Sequence, residues 1–138
     1  MERDLDFSEQ FLVDTCHIFE STLHSAGYLG SSFWIHSYPE IGISYKGLGI
    51  PRTISIIFDG FLYVEVKRTN WWRNLRSSKN GFIVEGVGKY FGVVPPSEAL
   101  SMRDKLVWNH DVLTSHLMPV ITGKLWIDEL LQSRQTNR

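Results

Sequence analysis

The segment with the strongest chemical character is Lys-Arg-Thr-Asn-Trp-Trp-Arg-Asn-Leu-Arg-Ser-Ser-Lys, positions 67–79. It carries Lys67, Arg68, Arg73, Arg76 and Lys79, five of the chain's fourteen Lys and Arg residues, and no acidic residue. Trp71 and Trp72 stand in its middle. Cations beside indoles suit a nucleic-acid surface, where charge meets phosphate and rings stack on exposed bases. They suit a protein interface equally, since Trp and Arg dominate the binding energy of such contacts. The ordinary structural alternative is an indole folded into the core among solvated cations.

The opposite polarity marks the N-terminus. Glu2, Asp4, Asp6, Glu9, Asp14 and Glu20 face a single cation, Arg3, within the first twenty residues. Acidic residues at a helix start are favourable through the helix dipole alone. The functional alternative is an acidic face, with Asp14 and Glu20 as its binding residues, that engages a basic partner.

Metal and catalytic chemistry find less to work with. His17 and His24 are seven positions apart on one helical face, roughly 10 Å along the axis, too far to chelate one ion together. His110 and His116 diverge, and no histidine pair has the spacing of a metalloprotease helix. Cys16, the one cysteine, falls on an apolar helix face and reads as a small core residue. Asn109-His110-Asp111, with Asp104 a further seven positions before Asp111, could serve a hydrolase only if the fold converged them. Gly86-Val-Gly88-Lys89 lacks the phosphate-loop spacing and has Tyr90 where the loop needs Ser or Thr. The sequence therefore calls for no catalytic set, no metal and no cofactor.

The elements that must position these residues are legible from periodicity. Phe11, Leu12, Cys16, Phe19, Leu23 and Ala26 recur at helical spacing over 6–27, with Asp6 and Glu9 placed for a capping box and Gly27 for the helix end. Residues 33–36 and 41–46 have strand composition. Arg52 to Phe58 and Phe61 to Lys67 flank Asp59-Gly60, the preferred pair of a two-residue hairpin. That turn predicts Phe58 opposite Phe61, Ile56 opposite Tyr63 and Ile54 opposite Glu65. A short strand is expected over 82–85. Ser97 is a candidate N-cap for a helix from Glu98 to about Met118, which Pro119 should kink or restart, and a last helix is expected from Leu125 to about Ser133. The expected architecture is α+β: an N-terminal helix, an antiparallel β-meander, and C-terminal helices packed on one face of the sheet, forming a single domain over 1–138.

Composition bounds the class. With 138 residues, 43% hydrophobic and 13% aromatic, the chain can bury a core without metals or disulfides. A net charge of −1 excludes a uniformly basic nucleic-acid binder. No membrane span, secretory leader or sequon is found, so the expected location is cytoplasmic and no membrane partner is expected.

A capped helix ending at Gly27-Tyr28, a meander containing RTISIIFDGFLYVEVKR (52–68) and a closing region LTSHLMPVITGKLWIDELL (113–131) with a Gly-Lys corner follow one another. In this architecture and spacing the chain resembles the small bacterial immunity proteins of toxin–immunity pairs. The resemblance spans almost the whole chain and assigns no individual residue. It implies a cytosolic protein that binds one cognate toxin and catalyses nothing. Nucleic-acid binding through 67–79 is the second reading.

Overall fold

A computed structural model describes residues 7–35, 40–68 and 81–124. Helix α1 (Phe7–Ser25) opens the fold, and Gly27 at φ 100° turns the chain into β1 (Tyr28–Ile35). Strands β2 (Ile41–Gly47), β3 (Arg52–Phe58), β4 (Leu62–Arg68) and β5 (Gly81–Ile83) follow, then short helix α2 (Val84–Gly88), a single 3-10 turn, α3 (Met102–His116) and α4 (Met118–Ile121). Among the described residues the strands form one antiparallel sheet in sequence order, β1-β2-β3-β4-β5. The fold is thus α+β as expected. The capping box at Asp6, the segment around Trp71 and Trp72, and the helix expected from Leu125 lie outside the described residues.

One face of the sheet makes the core. Ile41, Ile43 and Tyr45 of β2, Ile54 and Ile56 of β3, and Leu62, Val64 and Val66 of β4 pack with Phe11, Phe19 and Leu23 of α1 and Leu106, Val112 and Leu113 of α3. Alternation along each strand delivers this face, and the 3.6-residue period delivers the two helices.

The hairpin corrects the sequence expectation. Phe58 pairs with Leu62, Ile57 with Tyr63, Ile56 with Val64 and Ile54 with Val66, so three residues, 59–61, make the turn. A two-residue type I′ turn needs positive φ at both central positions. Only Gly60 has it, at 100°, and Asp59 does not. The one-residue shift also sets Ile54 and Ile56 against Val66 and Val64 on the buried face, where the expected register would have opposed Ile54 to Glu65. Side-chain alternation makes that slip decisive, because it exchanges every residue between core and solvent.

Three further boundaries differ. Strand β1 starts at Tyr28, five residues before the expected segment, because its pairing with β2 continues past an irregularity between Gly30 and Ser32. The strand expected over 82–85 ends at Ile83, and Val84 begins α2. Helix α3 begins at Met102 rather than Glu98: Ser101 is its N-cap, accepting from the Asp104 N–H, while Ser97 accepts from Ala99 in a tight turn. Two hydroxyls competed for the same task, and the later one met helical backbone. Pro119 restarts the chain as α4, where its missing N–H costs nothing in the first turn.

Ile56 is fully buried at the centre of the core. Ile56→Ala should lower the unfolding free energy by about 2–5 kcal/mol, read as a lower urea midpoint at unchanged slope.

Candidate functional site

The sheet face opposite the helices is the most organised surface among the described residues. Register places its residues in three transverse rows roughly 7 Å apart, two strand rises. The first row runs Leu29, Lys46, Thr53, Lys67 and Gly81. The second is Ser32, Ser44, Ser55, Glu65 and Ile83, with Ser44 Oγ and Ser55 Oγ hydrogen-bonded at 2.9 Å. The third is Trp34, Gly42, Ile57 and Tyr63. Charge therefore grades across the face, from cations through hydroxyls to aromatics.

Gly42 is what lets the third row lie flat. A Cβ at position 42 would meet Trp34 Cζ2 at 2.3 Å, so the indole occupies the volume a side chain would need. Its Nε1–H donates to Glu40 Oε2 at 2.9 Å, which fixes the ring's orientation. Ile57, apart from the main core, is only 9% exposed between these aromatics.

Lys46 and Lys67 are both exposed, and Thr53 separates them by one strand on each side. Lys67 also pairs with Gly81, where a Cβ would meet the lysine's Cγ at 2.7 Å. The connection 69–80 therefore leaves and returns at the cationic row. Trp71, Trp72, Arg73 and Arg76 belong to that connection and lie outside the described residues. Arg68, the other basic residue singled out, is half-buried and faces the core side of the sheet, opposite Arg52.

Arg52 escaped the sequence reading. It is 4% exposed, its Nε donating to the Val120 carbonyl at 3.1 Å and Nη1 to the Pro51 carbonyl at 3.0 Å. Tyr28 Oη donates to the neighbouring Ile121 carbonyl at 2.6 Å. Together they satisfy carbonyls at the C-terminal end of α4, where a cation is favourable. Burial lowers the Arg52 pKa and raises that of Tyr28. No local pattern marks an arginine as buried when it opens a strand, which is why it was missed.

The acidic residues of α1 do not form one outward surface. Asp14 is 8% exposed, accepting from Gln10 Nε2 at 2.9 Å and from Arg103 Nη1 at 3.1 Å. Its carboxylate ties α1 to α3. Glu20 is half-buried beside Cys16 and Tyr45. Burial, with Glu20 nearby, pushes up both the Cys16 thiol and the Tyr45 phenol, and the Tyr45 hydroxyl ends beside the thiol without a well-formed hydrogen bond. A thiol so placed is a poor nucleophile.

The histidine set is not assembled for hydrolysis. His110 Nε2 meets Thr22 Oγ1 at 2.8 Å across the α1–α3 contact, and its ring sits edge-on to Phe19. Asp104 is six residues away at the α3 N-terminus, about 9 Å along the axis. Asp111, the nearer carboxylate, is 70% exposed and 3.7 Å from His110 Nδ1. His116 stacks on Phe91. Among the described residues no three His, Cys, Asp or Glu side chains are grouped to hold a metal ion, and no helix is long and apolar enough to cross a membrane. Beside the turn of β3–β4, a cavity of about 270 Å³ is lined by Phe58, Phe61, Leu62, Glu85, Met102 and Lys105, mixed in charge and small for a ligand.

The fold and surface together define an α+β domain with one covered and one graded sheet face. Compared with protein-family models, curated proteins and solved structures, the chain matches none.

The two buried phenols separate hydrogen bonding from burial. Tyr28→Phe removes a made bond and should cost about 1 kcal/mol or more, because the Ile121 carbonyl is left behind. Tyr45→Phe removes a hydroxyl with no partner and should be neutral or stabilising in the same urea titration. Both phenols hold their protons above the ordinary tyrosine range near 10. The unfolded chain therefore loses those protons first, and stability should fall as pH rises beyond about 10, less steeply in Tyr45→Phe.

Proposed function

We propose that the protein is a non-enzymatic protein-binding module, an immunity-type inhibitor that acts in the cytoplasm by covering the active site of a cognate toxin. The observation that carries this reading is the graded sheet face, where Lys46 and Lys67 share one row and Trp34 and Tyr63 another. Aromatic anchors beside long-range charge are what a specific protein contact uses: the rings supply buried area, and the cations steer encounter and reject partners of like sign. The basic connection 69–80, anchored at the same row, adds Arg73, Arg76 and Lys79 to that end of the face.

The arrangement also selects between the two charged surfaces of the sequence. Asp14 is committed to Arg103 and Glu20 is half-buried, so α1 keeps little outward negative charge among its described residues. The partner is accordingly an acidic protein surface, and inhibition is steric, aided by charge. Nucleic acid, through the stacking and phosphate chemistry of Trp71, Trp72, Arg73 and Arg76, is the competing reading.

A tagged copy expressed in the source cell should retain one protein partner at low salt. Reversing the cationic row with Lys46→Glu and Lys67→Glu should weaken that association at least about tenfold, and added salt should weaken the unaltered pair. Retention indifferent to the reversal, or no partner at all, overturns the reading. Filter retention of nucleic acid that falls in Arg73→Glu/Arg76→Glu would establish the competing one.

A further inference from the structure

The two edges of the sheet differ in kind. Strand β5 has three residues. Strand β1 has eight, Tyr-Leu-Gly-Ser-Ser-Phe-Trp-Ile, and among the described residues it pairs with β2 alone. Edge strands usually carry a Lys, a Pro or an inward-pointing charge that discourages a further strand. Residues 28–35 contain none of these, and the sole irregularity, between Gly30 and Ser32, leaves Ser32–Ile35 in regular pairing with Ser44–Ile41.

This uncharged edge is also sticky. Phe33 is 62% exposed and Ile35 54% exposed, although their cross-strand partners Ile43 and Ile41 are buried. They lie on the core side of the sheet, at the margin where the helices stop. We propose that β1 pairs with β1 of a second copy of this chain, antiparallel about a two-fold axis, to join two sheets into one of at least ten strands.

The occupant follows from charge and symmetry. A strand without charge gives a foreign strand no sign to select, whereas a second copy brings the same uncharged, apolar face. A two-fold axis perpendicular to the sheet keeps core sides together, so residues directly opposite must share a side. Centring it on Trp34 sets Phe33 of each copy opposite Ile35 of the other and Trp34 opposite Trp34. Both exposed apolar residues of each copy then become cross-strand pairs, the arrangement that stabilises antiparallel sheets. The graded face stays open in such a dimer and is doubled in width, so the proposal extends beyond the inhibitor reading and does not depend on it.

Sedimentation equilibrium of the full chain across the micromolar range tests it. The unaltered protein should show a monomer–dimer equilibrium. Phe33→Lys/Ile35→Lys should remain monomeric while keeping its urea midpoint, because both side chains are already exposed. In a Cys16→Ala background, Phe33→Cys/Ile35→Cys should oxidise to a disulfide-linked dimer, since opposed antiparallel residues place Cα atoms about 4.5–5.5 Å apart. A monomer at every concentration, a dimer that persists in the lysine variant, or failure of the cysteine pair to cross-link each overturns the proposal.

Discussion

The register of β3 against β4 is the constraint on which both sides of the sheet depend. Setting Ile54 and Ile56 against Val66 and Val64 gathers the branched apolar residues on one side. The same pairing sends Thr53, Ser55 and Ile57 with Lys67, Glu65 and Tyr63 to the other. Because β2 pairs with β3 in continuous register, Tyr45, Ile43 and Ile41 join the buried side and Lys46, Ser44 and Gly42 the open one. Core and candidate site are two readouts of one pairing.

Much of this was legible in the chain. The helical period of Phe11, Phe19 and Leu23, the meander, and the common face of Leu106, Leu113 and Leu117 follow from hydrophobic spacing, which tertiary packing then uses directly. Boundaries were less legible where two similar signals competed. Ser97 and Ser101 are equivalent caps in composition, and only the backbone that follows distinguishes them. Asp59-Gly60 favours one turn locally, but the area buried by four branched side chains outweighs a turn preference.

The open face was harder to foresee, because its order is transverse to the sequence. Lys46, Thr53 and Lys67 are neighbours only through cross-strand pairing, and an error of one position in one hairpin disperses them. Arg52 was obscure for a related reason: its acceptors, Val120 and Pro51, include a carbonyl sixty-eight positions away. Asp14 illustrates the reverse. A carboxylate that sequence places in an acidic cluster is taken inward by a cation on another helix, so local charge counts overstate what a surface presents.

Gly42 has a consequence for solubility. Its missing side chain lets the Trp34 indole lie across the sheet and tile the gap in front of Ile57, converting two loose hydrophobes into a low, continuous surface with its polar N–H tied to Glu40. Any larger residue at this position would lift the ring and uncover Ile57 at the same time. A single hydrogen atom in place of a methyl group thus keeps the open side of the sheet from becoming a nucleus for precipitation, while leaving an aromatic plane available to a partner that fits it.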